Sequence, residues 1–336
     1  MGGSRGASSR EVGRHVSHMV RAIAVLAGLF GATTLAACAP RYQHVVDRPL
    51  RSTGGLECPG YLVWNQEPVR DVFLVISGSG NLSNAFVHPS FEDAVGTHPV
   101  AYLTYDKPGI RAPFGDPAAV RRDDAVFERY TLGHGTACAI GALRWARERF
   151  GTSTRLHVIG HSEGTLVGLY AYEAALDEDP ALAAQIRTIV LSGLALEPIA
   201  DIFERQLAEL RGGDRIRAAF ASCDQRVINR SPFAGTSCAY LEDAAGRPSG
   251  RAMFERLATR SPTVSFHIVH GEGDLNTPVR HVRALEHWNA EAGHLPITFH
   301  YVEGGHTSNA AARAEVTRLL RAIISEVQVS RNLPLS

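Results

Sequence analysis

The sequence predicts an α/β protein: a mostly parallel central sheet flanked by helices, with a helical cap insertion. From about Gly60 onward, short runs rich in Val, Ile, Leu, Phe and Tyr alternate with longer stretches whose apolar residues fall at helical spacing. The short runs are nearly continuous in apolar residues, the pattern of strands covered on both faces rather than on one. A single interval, residues 194–260, breaks the rhythm with amphipathic segments and no strand signal.

The chain has 336 residues, of which 45% are hydrophobic, so a sizeable core is available. Its 34 Lys and Arg balance 34 Asp and Glu, leaving no global field to recruit nucleic acid. The N-terminus reads as targeting rather than fold. Arg5, Arg10, Arg14 and Arg21 precede an apolar run from Ile23 to Leu35 that ends in small residues, the order of a secretory signal over 1–37. A membrane anchor is the alternative, but the run is shorter than the ~20 residues a spanning helix needs.

That run ends Leu35-Ala36-Ala37-Cys38, which resembles the lipobox of bacterial lipoproteins. The resemblance implies cleavage before Cys38, lipid on its sulfur, and attachment to a membrane; Ala39 at the next position implies the outer membrane, on its periplasmic side. An ordinary signal with a chance cysteine is the competing reading. Residues 38–58 then read as a lipidated N-terminus and tether, and 59–330 as the folded domain. Four cysteines remain, Cys58, Cys138, Cys223 and Cys238. In an oxidising compartment they allow three pairings, of which Cys223 with Cys238 is expected because both lie in one insertion.

The strand expectations, in order, are Val72–Ile76, Val100–Tyr105, Leu156–Ile159, Ile186–Leu191, Val264–Val269 and Ile297–Val302. Helices are expected over Ala137–Phe150, Thr165–Leu176 and Ala310–Val327. Within 194–260 the amphipathic segments Ile202–Leu210 and Met253–Ala258 predict a helical cap, placed where loops leave the carboxyl ends of strands.

The sharpest chemical signal is Gly160-His161-Ser162-Glu163-Gly164, set between a strand and a helix. A serine on so tight a turn takes a strained backbone, and its flanking positions must be small for strand and helix to approach. The hydroxyl is pushed off the sheet, and the new helix offers the N–H of Glu163 as an oxyanion donor. A hydroxyl needs a base. His306, in Glu303-Gly304-Gly305-His306 after the last strand, is the candidate, with His270 as runner-up. His267 and His300 sit inside strand runs and read as packed residues, and His161 is expected to point away from the site. Asp274, in the loop His270–Pro278, is the candidate acid, with Glu272 as competitor; Asp274 also reads as a turn former or helix cap. The second oxyanion donor is expected from Ile76-Ser77-Gly78-Ser79-Gly80, through the amide of Ser79.

With these residues in view, the segment from about 60 to 327 resembles the α/β-hydrolase superfamily, nearest to its esterase and serine-aminopeptidase-like members. Tyr105-Asp106-Lys107-Pro108-Gly109 resembles the Asp-x-x-Gly turn of that family, while Pro108 and Arg111 depart from it. The resemblance implies a catalytic triad of Ser162, Asp274 and His306. It implies hydrolysis of a small-molecule ester or a short peptide through an acyl-serine intermediate. A binding protein that has lost catalysis on the same scaffold is the third reading. A Cys-x-x-Cys pair and a His-Glu-x-x-His helix are both missing from the sequence, so neither a metal nor a cofactor is expected.

Overall fold

The computed structural model describes Tyr42 and residues 44–51, 55–80, 82–95, 98–260, 262–306 and 310–329. Cys38 and the signal segment lie outside the described residues.

The strands are β1 (His44–Arg51), β2 (Glu57–Trp64), β3 (Asp71–Ile76), β4 (Val100–Tyr105), β5 (Ile110–Arg111), β6 (Arg121–Arg122), β7 (Arg155–His161), β8 (Ile186–Ser192), β9 (Ser265–Gly271) and β10 (Ile297–Val302). Eight of them form one sheet in the order β1-β2-β4-β3-β7-β8-β9-β10, and β5 pairs with β6 apart from it. From β4 to β10 every pairing is parallel; β2 joins β4, and β1 joins β2, antiparallel. This is the mostly parallel sheet that the continuous apolar runs predicted.

Both faces are covered, which is why those runs do not alternate. Val72, Leu74 and Ile76 of β3 pack with the helices Leu132–Phe150 and Glu163–Glu178, whereas Phe73 points to the other face. There it meets Phe91 edge-on, beneath the helix Pro89–Val95, in the cluster that also holds Leu320 and Ile324 of the helix Ala310–Val329. Thr131 starts the first of these helices with a capping box, its side chain accepting from the His134 amide while the His134 ring accepts from the Thr131 amide.

Residues 44–51 correct the expectation of a tether over 38–58. They form β1, paired to β2 from His44 opposite Trp64 to Arg51 opposite Glu57. Of its side chains only Leu50 is buried, so the backbone ladder holds an edge strand whose composition looks like linker. Cys58 in β2 is bonded to Cys138, and Cys223 to Cys238, with Cα separations of 6.1 and 5.7 Å. The second pair is the expected one; the first ties the antiparallel edge to the helix Leu132–Phe150.

Between β8 and β9 the chain is helical, as expected of 194–260: Ile199–Glu209, Gly213–Ala221, Gln225–Ile228, Cys238–Ala245 and Gly250–Ala258. Its apolar centre brings Phe203 to within 5.1 Å of Phe233 and 6.5 Å of Tyr240, ring centroid to centroid.

Candidate active site

Register decides what meets. Ile76 pairs with Gly160, His161 with Ser192, Ser192 with Val269, and Gly271 with Val302. Five parallel strands therefore end at one edge, and the loops leaving them converge there.

Ser162 stands at the N-cap of the helix Glu163–Glu178 with φ 53° and ψ −121°, a backbone an L-residue rarely adopts. The turn is closed by its neighbours. A Cβ on Gly160 would lie 2.8 Å from Thr165 Cα and collide with the Gly164 carbonyl, and one on Gly164 would lie 2.7 Å from the Ser77 carbonyl oxygen. The Ser162 amide donates to the Ser192 carbonyl at 2.9 Å, which pins the elbow to β8.

The hydroxyl reaches an imidazole. Ser162 Oγ lies 2.8 Å from His306 Nε2, and His306 Nδ1 lies 2.7 Å from Asp274 Oδ2. Gly193, at φ 63°, lets the ring close over the end of β8: a Cβ there would sit 3.1 Å from His306 Cε1. The sheet thus brings together the three side chains expected to act, with His270 Nε2 3.6 Å from Asp274 Oδ2 and the Ser162 hydroxyl bonded to His306 rather than to His270. His270 is buried and donates through Nε2 to the Thr277 carbonyl at 2.6 Å, and Glu272 is paired with Arg283 at 2.9 Å.

Asp274 is held from several sides. It accepts from the Thr277 amide at 2.8 Å and from Thr277 Oγ1 at 2.7 Å, besides His306. Burial works to raise its carboxyl, but the hydrogen bond and charge of His306, with both donations from Thr277, outweigh it and hold the group below the usual carboxylate range. The turn-former reading and the acid reading of Asp274 are both realised in one side chain. Thr277 itself was not singled out in the sequence, although an Asp three residues ahead of a Thr is the spacing of such a turn.

His161 differs from expectation. Its ring centroid lies 5.6 Å from that of His306, so it flanks the site. Burial, reinforced by the neighbouring His306 and His88, pushes its imidazole down to about 4, and it stays neutral beside the candidate base.

On the other side of Ser162 runs the loop after β3. Gly78 passes closest, where a Cβ would come 3.0 Å from Ser162 Cβ, and exposed Ser79 follows. This loop is braced by Asp106, fully buried in the turn after β4, which accepts from Ser83 Oγ at 2.7 Å, from Tyr61 Oη at 3.0 Å and from the Asn84 amide. Gly109, at φ 80°, completes the turn; a Cβ there would lie 2.7 Å from the Asp123 carbonyl oxygen. Among the described residues, no group of His, Cys, Asp or Glu is arranged to hold a metal ion.

Neither a protein-family model nor a curated protein matches the chain. Solved structures do. A hydrolase of Agrobacterium vitis, described as putative in its structure report, superposes with a TM-score of 0.55 at 16% identity, covering 84% of this chain and 98% of that one. A puromycin-hydrolyzing peptidase of Mycobacterium tuberculosis gives 0.54 at 14% identity, over 87% of this chain and 41% of that one. An esterase of Pyrococcus furiosus gives 0.51 at 14% identity, over 84% and 90%. At such identities the likeness is one of architecture, and together with the strand order and the strained serine at the sheet edge it establishes that the chain has the α/β-hydrolase fold.

Proposed function

We propose that the protein is an exported serine hydrolase that cleaves a carboxylic ester through an acyl-enzyme on Ser162. The observation that carries this reading is the relay from Ser162 Oγ through His306 to Asp274, at 2.8 and 2.7 Å.

The steps follow from the atoms. His306 Nε2 takes the hydroxyl proton as Ser162 Oγ attacks the ester carbonyl, and Asp274 stabilises the imidazolium through Nδ1–H. Charge on the carbonyl oxygen meets the amides of Ser79 and Glu163; the latter is the first N–H of a helix, where no intrahelical acceptor exists. The imidazolium returns its proton to the leaving alcohol. Water then repeats the sequence on the acyl-serine, releasing the acid.

Peptide cleavage by the same groups is the second reading, and it calls for carboxylates that bind an α-amino group near the cap. Of the four cap carboxylates Glu197, Asp201, Glu204 and Glu209, two are engaged otherwise. Glu197 is paired with Arg205 at 2.6 Å and lies 3.3 Å from His281, Glu204 is paired with Arg217 at 2.9 Å, and Asp201 and Glu209 are exposed. That favours the ester.

Export and lipidation at Cys38 rest on the signal-like N-terminus. Two disulfides among the remaining four cysteines suit an oxidising compartment. Incorporation of labelled palmitate by the full-length chain, and its loss in Cys38→Ala, tests that half of the proposal.

The catalytic half is tested with Ser162→Ala. This variant is expected to lose both p-nitrophenyl ester hydrolysis and labelling by a fluorophosphonate; labelling that persists would move the nucleophile elsewhere. Comparing p-nitrophenyl acyl esters with aminoacyl p-nitroanilides separates ester from peptide cleavage.

A further inference from the structure

Asp106 and Lys107 are consecutive in the turn after β4, and they reach different partners. Asp106 grips Ser83 and Asn84, and Asn84 Nδ2 donates to Ser77 Oγ and to the Tyr105 carbonyl, each at 2.9 Å. The loop carrying Gly78 and Ser79 is thereby held at both ends. Lys107 Nζ instead pairs with Glu163 Oε1 at 2.9 Å, with side-chain exposures of 7% and 3%.

Glu163 is the residue after the nucleophile, and its carboxylate is held by more than the lysine. Tyr130 Oη donates to Oε1 at 3.0 Å, and the buried Tyr240, from the cap helix Cys238–Ala245, lies within reach of the same carboxylate's charge. Lys107 Nζ lies 5.0 Å from the centroid of the Tyr130 ring, and Tyr130 stacks on Tyr240 at 6.1 Å. Three separate segments thus converge on one buried carboxylate.

A buried ion pair is a poor stabiliser, because desolvation offsets the attraction and two apolar side chains would fill the space as well. What it supplies is direction. The peptide plane between Ser162 and Glu163 sets ψ of Ser162 at −121° and carries the Glu163 N–H. Holding the Glu163 side chain from several directions holds that plane.

We propose that the Lys107–Glu163 pair, with Tyr130 and Tyr240, is a positioning device that aims the residue-163 amide at the oxyanion, so that the Asp106-Lys107 dipeptide sets both oxyanion donors. Its stacking on Tyr240 through Tyr130 makes the seating of the cap part of that aim. The inference rests on the hydrolytic reading of Ser162.

The test uses the full chain and two readouts, the rate of labelling by a fluorophosphonate and the turnover of p-nitrophenyl acetate. Glu163→Gln keeps the size and the backbone amide but removes the charge. It is expected to lower the labelling rate and kcat together, by about tenfold or more, a part of the 10²–10³ lost with a whole oxyanion donor. KM is expected to stay within about twofold, because uniform binding is untouched.

Lys107→Met alone strands a buried carboxylate, so the double variant Lys107→Met/Glu163→Gln, neutral at both positions, is the second arm and is expected to fold with the same loss of kcat. Wild-type labelling and kcat in either folded variant would overturn the device while leaving the hydrolytic reading intact. A double variant that does not fold would also overturn it, by making the pair a stability element. Wild-type protein that neither hydrolyses esters nor takes the label would remove the hydrolytic reading, and this inference with it.

Discussion

Thr277 donates its hydroxyl to Asp274 at 2.7 Å while the same oxygen lies 3.1 Å from His306 Nδ1, so one threonine touches both the carboxylate and the imidazole of the relay. Asp274 therefore has its lone pairs directed before any substrate arrives. Thr277→Val is expected to lower kcat by about tenfold or more, in keeping with the ~1.5–3 kcal/mol of a hydrogen bond to a charged group. Thr277→Ser should restore most of it. Ester turnover at saturating substrate is the measurement, and unchanged kcat in Thr277→Val would show that the amide donation alone holds the acid.

The elbow tolerates nothing larger than hydrogen at position 160, since the atoms a Cβ would meet are backbone of the following helix. Gly160→Ala is expected to destabilise the fold by about 1–3 kcal/mol or more and to abolish fluorophosphonate labelling. The cost arises because strand and helix must separate for the methyl group to fit. Thermal melting beside a labelling assay checks both parts.

Stability should fall as the solution is acidified below the ordinary histidine value. Burial holds His157, His161, His267, His270 and His300 below 6.5, with His161 pushed down to about 4. Each group binds its proton more readily in the unfolded chain. Their contribution is complete above pH 6.5 and is lost as pH falls toward the lowered folded values. The carboxyls of Asp71 and Asp274, also held low in the fold, add a second loss at still lower pH. Melting temperatures should stay level from about pH 7.5 to about pH 6.5 and decline from there down to about pH 4.5, and His161→Gln should flatten the slope.

The two disulfides should open at different reductant concentrations. Cys58 and Cys138 are both fully buried, whereas Cys223 is exposed on the cap. Mild reductant should open Cys223–Cys238 first, as mass spectrometry after thiol alkylation would show. With its cysteines 15 positions apart that bond is worth about 3 kcal/mol, and the other, with a separation of 80, about 4–5 kcal/mol. The order of melting temperatures in Cys223→Ser/Cys238→Ser and Cys58→Ser/Cys138→Ser tests the second statement.

Local chemistry made much of this protein legible in the sequence. The runs at Val72–Ile76 and Val100–Tyr105 are strands, because a strand buried on both faces is apolar at nearly every position. Gly160 and Gly164 announce the elbow, since the turn excludes side chains there whatever the rest of the chain does. The glycine-rich loop before His306 and the turn at Asp274 carry their own signals, being constrained by backbone geometry within a few residues.

The tertiary structure alone decided which distant atoms meet. β1 buries little besides Leu50 and is held by backbone hydrogen bonds to β2, so its side chains carry no pattern to read. The partners of Cys58, Lys107 and Asp106 lie 80, 56 and 22 to 45 positions away, and their contacts exist only once the strands and helices that carry them are packed together. His161 shows the same limit, its distance to His306 being set by how the loops after β7 and β10 pack. Residue type and spacing specify what a segment becomes, because those energies are local; register and packing specify what it touches, because those energies arise only when the sheet is assembled.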